Sequence, residues 1–142
     1  MTGPPGPVLA LDLGEARIGV AVSDPERHLA LPVGTIPAGS PSGELKAVAE
    51  LVRERGVTLV VIGLPLSMDG GRGPAAAKAE AFAAALRPVV QVPIELQDER
   101  LSTVEATREL HDAGVVGRQR RRLVDASAAA VVLEAWLGSH RP

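Results

Sequence analysis

The chain has no cysteine and no tyrosine, one tryptophan, one phenylalanine and three histidines among its 142 residues. Without cysteine there is no disulfide framework, no thiolate zinc site and no cysteine nucleophile. The three imidazoles, His28, His111 and His140, are scattered along the chain. The longest apolar runs, such as Val57–Leu64, fall far short of the roughly 18 residues a membrane span needs. The start, MTGPPGP, places no basic segment before a long apolar core, so it does not read as a signal peptide. Two aromatic rings provide no base-stacking platform, and a formal charge of −2 lacks the basic excess common in nucleic-acid binders. A soluble, cytoplasmic single domain without membrane contact is expected, since domains run to roughly 100–200 residues and one of this size folds without staples. The charges are uneven, however. Of the 15 cations 13 are arginine, and four of these fall within Arg118–Arg122.

Residues 1–7 read as a disordered tail and 138–142 as a frayed C-terminal tail, leaving one continuous domain over 8–137. Val8–Leu13 and Arg17–Ser23 are two short apolar runs separated by three residues, a hairpin in which Gly14 is free to take positive φ. His28–Ile36 is a third strand, and Pro32 within it suits an edge position. Gly43–Arg55 carries Leu45, Val48, Ala49 and Val52 at helical spacing. Val57–Leu64 is a continuous apolar run, as in a strand covered on both faces. Pro74–Leu86 is an alanine-rich helix, Val89–Leu96 a strand, Thr103–Ala113 a helix, and Val124–Leu137 the last helix. An antiparallel meander of three strands followed by crossover units predicts an α/β fold, a five-stranded mixed sheet with helices on both faces.

Three acidic positions fall where such a fold gathers ligands. Asp12 ends the first strand, and a carboxylate there is costly unless hydrogen-bonded, cation-bound or at the sheet rim. Its plain alternative is a turn-forming aspartate. Asp125 heads the apolar stripe Ala128, Ala129, Val132 and Trp136 of the last helix, where it also suits a cap. Asp98-Glu99-Arg100 follows the last strand, at the carboxyl end where α/β sheets bind ligands. Together, without cysteine and with few histidines, the carboxylates suit a hard divalent cation, Mg²⁺ or Mn²⁺, or a pair of them about 3.5–4 Å apart for phosphodiester cleavage. Gly63–Gly73 is a glycine-rich loop with Arg72 in it; it could face an anion or serve as an ordinary connection, and it is no P-loop. RQRRR, placed just before the last helix, suits bidentate phosphate contact, although a solvated charge run is the usual reading of such a segment.

Four segments then resemble one family. LDLGEARIGVAVSD (Leu11–Asp24), VIGLPLSMDGGRG (Val61–Gly73), DERLSTVEA (Asp98–Ala106) and VDASAAAVVLEAWL (Val124–Leu137) look like the ordered motifs of the YqgF/RuvX family, spanning almost the whole folded chain. The resemblance implies a ribonuclease-H-like fold related to the RuvC resolvase and a metal-dependent nuclease activity, directed at pre-16S rRNA or at Holliday junctions. By motif, Asp12 matches the first-strand carboxylate and Asp125 the last-helix one, while Asp98 and Glu99 match the acidic pair, with Glu99 preferred as third ligand. Ser67, Gly71 and Ala126 depart from the residues common at their positions, which touches substrate positioning more than metal binding.

The expectation is a Mg²⁺- or Mn²⁺-dependent nuclease, monomer or homodimer, with RNA favoured over a four-way DNA junction. Asp12, Glu99 and Asp125 would be catalytic, with Asp98 a further candidate ligand. Arg17, Arg72, Arg100, Arg118, Arg120, Arg121 and Arg122 would hold phosphates. Two rivals stand beside it. DLGEAR also resembles the phosphate loop of actin-like ATPases and sugar kinases, which need two duplicated domains where this length gives one. A non-catalytic nucleic-acid-binding module would need no divalent ion.

Overall fold

The apolar runs that predicted the sheet are realised as strands in the computed structural model, which describes residues 3–67, 69–98 and 117–140, with 117–127 as backbone only. β1 (Val8–Leu13) pairs antiparallel with β2 (Arg17–Ser23), and β2 pairs antiparallel with β3 (Ala30–Pro37). β4 (Leu59–Leu64) lies parallel to β1, and β5 (Ile94–Asp98) parallel to β4. The sheet order is β3-β2-β1-β4-β5, so the proline-bearing β3 stands at an edge, as Pro32 predicted. The helices are α1 (Pro41–Glu54), α2 (Pro74–Leu86) and α3 (Gly117–Ser139).

Period-two alternation along β1 and β4 divides the core into two layers. Leu9, Leu11, Val60 and Ile62 face Val48 of α1 and Ala79, Ala83 and Leu86 of α2. Val8, Ala10, Leu59 and Val61 face Ala129, Val132, Leu133 and Trp136 of α3. The central strands are therefore covered on both sides, which is why Val57–Leu64 reads as an unbroken apolar run. α1 is set by its ends as well as by its stripe. Ser40 is the N-cap, its hydroxyl accepting from the Gly43 N–H, with Pro41 in the first turn.

Several boundaries differ from expectation. The third strand is Ala30–Pro37 rather than His28–Ile36, because Asp24 Oδ1 accepts from the His28 and Leu29 N–H groups at 2.8 and 2.7 Å and holds both in the turn. The last strand is Ile94–Asp98, five residues later than Val89. Pro88 and Pro93 bracket a turn there, from which Val90 still buries against the core. α3 begins at Gly117, so RQRRR lies within the helix instead of preceding it, in keeping with the high helix propensity of arginine. The helix expected over Thr103–Ala113, with His111, lies outside the described residues.

The proline- and glycine-rich start, read as a loose tail, makes specific bonds. The Gly6 N–H donates to Pro25 O, and the Thr58 hydroxyl reaches Pro5 O and Pro7 O. Arg27 Nε donates to Gly6 O at 2.9 Å. Gly6 has φ +99°, and a Cβ there would overlap the Thr58 side chain. Gly6→Ala should therefore cost about 1–3 kcal/mol in urea unfolding followed by circular dichroism.

The Asp24 turn makes a pH prediction. The Leu29 N–H, followed by other backbone bonds, favours the ionised carboxylate and holds its pKa below the usual value. A depressed folded-state pKa stabilises above the unfolded pKa, and that contribution is lost as pH falls through the folded value. Asp24→Ala should lower Tm at pH 7. The gap to wild type should narrow below about pH 4 and close in stronger acid.

Candidate active site

Asp12 stands on β1 next to Gly19 of β2, and Gly19 stands next to Thr35 of β3. Asp12 shares its face with Val8 and Ala10, the α3 side of the sheet. On β4 the register Leu11↔Ile62 brings Gly63 to the next position, and Gly63 pairs with Gln97 of β5. Asp12 is thus half-buried between strands whose nearest same-face residues have no side chain. The hairpin that ends β1 closes through backbone, the Gly14 N–H donating to Arg17 O at 3.0 Å. Gly14 is not among the positive-φ residues, contrary to expectation. Its need is close approach: a Cβ on Gly14 would stand 2.7 Å from Arg17 O. That contact fixes how Arg17 follows Asp12 around the turn.

α3 supplies the opposite wall. The Trp136 indole N–H donates to Glu95 Oε1 at 2.9 Å, near the start of β5. The C-terminal end of α3 therefore lies over the beginnings of the parallel strands, and its N-terminal end is directed toward the Asp12 end. Asp125 is three, four, seven and eleven residues ahead of buried Ala128, Ala129, Val132 and Trp136, which sets it on their helical face by position. The side chains of Asp125, Arg118, Arg120, Arg121 and Arg122 are outside the described residues, as are Glu99 and Arg100 entirely. Among the described residues no three acidic or histidine side chains converge.

Asp98, the last residue of β5, pairs with Leu64, so alternation sets it on the α1 and α2 face, away from the face of Asp12. Arg72 forms an ion pair with Glu80 of α2, and Leu66 bridges to Arg72 across the glycine-rich loop. That loop is internally bonded: the Ser67 N–H donates to Gly71 O, and the Gly71 N–H to Asp69 Oδ1. Lys78 was missed by sequence reasoning. It reaches from α2 to Gly14 O at 3.0 Å, adding a cation at the Asp12 end; nothing in an isolated lysine within an alanine-rich helix announces this. The groove of about 650 Å³ lined by Pro5, Arg27, Thr58, Glu95, Trp136 and His140 lies at the far end of the sheet.

A sequence model described as RuvX, Holliday junction resolvase, matches residues 6–139. A protein of Roseiflexus sp. (strain RS-1) named "Putative pre-16S rRNA nuclease" is 47% identical over 99% of this chain and 100% of its own. A protein of the same name from Chloroflexus aggregans is 45% identical over 94% of each chain. Among solved structures, T. thermophilus RuvC in complex with a Holliday junction substrate aligns with a TM-score of 0.58 at 15% identity, over 94% of this chain and 96% of that one. At that identity the likeness concerns the fold, and it bears out the ribonuclease-H-like architecture expected from the motifs.

Proposed function

Because the chain belongs to the RuvX family, we propose that it is a divalent-metal-dependent nuclease that hydrolyses phosphodiester bonds in RNA, trimming the 5′ end of a 16S rRNA precursor in the cytoplasm. The observation that carries this reading is the carboxylate of Asp12 at the end of a central strand, in a chain whose near-full-length relatives bear a nuclease name. The candidate donors are all carboxylate oxygens, which fits a hard cation and not a soft one. Asp12, Glu99 and Asp125 would hold it. Asp98 is the weaker of the acidic pair, because its strand position belongs to the other face.

A bound Mg²⁺ or Mn²⁺ supplies positive charge at the scissile phosphate and lowers the pKa of water. The chain's own contribution is to position and to neutralise. The Gly14–Arg17 closure holds Arg17 beside the end of β1, where its guanidinium can take a phosphate. Arg100 and the Arg118–Arg122 run would extend that contact along the strand, whereas Arg72 would first have to leave Glu80. With 15 cations against 17 acids, the acidic excess lies partly in the proposed ion site, so the net charge of −2 does not oppose a polyanionic substrate.

The test is a cleavage panel in Mg²⁺ and in Mn²⁺ against single-stranded RNA, a structured 16S precursor and a four-way DNA junction. Divalent-dependent cleavage of the precursor supports the reading. Preference for the junction would replace it with a resolvase, which requires two sites and hence a dimer. Binding without cleavage under any ion would reduce the protein to a binding module.

A further inference from the structure

Beside the Asp12 row lies a cavity of about 470 Å³, lined by Ala16, Arg17, Gly34, Thr35 and Pro37. The register places it on the same face as Asp12: Arg17 pairs with Pro37 and Gly19 with Thr35, while Gly19 also neighbours Asp12. Thr35 is two strand spacings from Asp12, about 10 Å, with no side chain of β2 in the row between them. The Thr35 side chain is half-buried, and its hydroxyl has no hydrogen-bond partner among the described residues. The cavity thus joins one cationic and one hydroxyl-bearing residue in its lining, and leaving a half-buried hydroxyl unpaired is unfavourable.

We propose that this cavity takes one ribonucleotide of the substrate strand, with the Arg17 guanidinium on a phosphate and the Thr35 hydroxyl on the ribose 2′-hydroxyl. The inference rests on the nuclease reading above and adds to it the feature that selects ribose. The lining favours the sugar and phosphate over the base. None of its described residues is aromatic; Trp136 lies in the groove at the opposite end of the sheet, and Phe82 belongs to the α1 and α2 layer. A threonine hydroxyl both donates and accepts, as a 2′-hydroxyl does, and deoxyribose offers it neither. A site built to bond a substrate hydroxyl discriminates against the analogue lacking it.

The test uses an RNA substrate and a series carrying a single 2′-deoxy nucleotide at each position around the cleaved bond. Wild type should lose about 3- to 10-fold in cleavage rate at one deoxy position, the size of one neutral hydrogen bond. Thr35→Val should lose the same factor on all-ribose RNA and become indifferent to deoxy substitution at that position, while Thr35→Ser keeps the wild-type pattern. A Thr35→Val variant that cleaves all-ribose RNA at the wild-type rate, or loses equally on both substrates, overturns the proposal. Fluorescence anisotropy in an Asp12→Asn background provides a readout independent of cleavage. If wild type cleaves nothing, the nuclease reading fails, and the cavity stands or falls on binding alone. RNA binding that exceeds DNA binding, with the difference abolished by Thr35→Val, retains the cavity assignment; equal affinities for both strands overturn it.

Discussion

Asp12→Asn is expected to lower cleavage of the RNA precursor by at least about 100-fold, since replacing groups that merely orient a metal ligand already costs 10–100-fold. The substitution is isosteric and removes only charge. β1 is apolar and buried from Val8 to Leu11 and Asp12 is itself half-buried, so an ionised carboxylate at this strand end carries a desolvation cost that a neutral asparagine does not. Tm without added metal should therefore stay level or rise slightly, while activity collapses, the pattern of a functional residue held against a stability cost. A turn-forming aspartate would give the reverse, a lower Tm with cleavage intact. Calorimetry and a rate measurement on one sample distinguish them, and undiminished cleavage by a folded Asp12→Asn protein would sink the nuclease assignment of this residue. The hairpin itself should survive, because its closing bond runs between the Gly14 N–H and Arg17 O.

The elements most legible in the sequence are those whose signal is local. β1 and β2 have the expected limits because each is an apolar run ended by a turn. Ser40 with Pro41 marks a helix start two residues ahead of Gly43, a cap signal that the apolar spacing alone does not read. β5 was harder. Val89, Val90 and Val92 look like strand residues, yet the two flanking prolines hold them in a turn, and burial of Val90 comes without sheet pairing. The arginine run conceals a helix for a related reason: charge describes solvation, whereas arginine's backbone preference is helical.

The candidate site divides along the same line. Asp12 and its turn can be found from composition at a strand end. The choice between Asp98 and Glu99 cannot, because it depends on register. Only the pairing Leu64↔Asp98 assigns Asp98 to the α1 and α2 side. The alignment of Asp12, Gly19 and Thr35 in one row is likewise non-local, involving three strands and a bulge between Val20 and Ala21. Thr35 carries no motif and becomes a candidate only when the sheet sets it beside Arg17.

Trp136→Ala should remove about 3–5 kcal/mol of stability, the cost of truncating a large buried aromatic. Against a total of roughly 5–15 kcal/mol for a domain, that is enough to populate unfolded chains near physiological temperature. Trp136 is 4% exposed and packs in the α3 layer with Leu133, Leu59 and Val61. It also bonds Glu95 Oε1, stacks on His140 with ring centroids 4.0 Å apart, and lies 5.6 Å from the Arg27 guanidinium carbon. Trp136→Phe keeps most of the buried area and loses the indole donor, so about 1 kcal/mol is expected from that bond. Far-UV circular dichroism in urea measures both variants, since the chain's one tryptophan is the residue removed. Because Trp136 anchors the end of α3 remote from Asp12, Trp136→Phe should cleave RNA at the wild-type rate per folded molecule. A loss of rate in that folded variant would mean that the pitch of α3 over the sheet, set at its C-terminal anchor, reaches through three turns to the position of Asp125 and bears on the proposed ligand set.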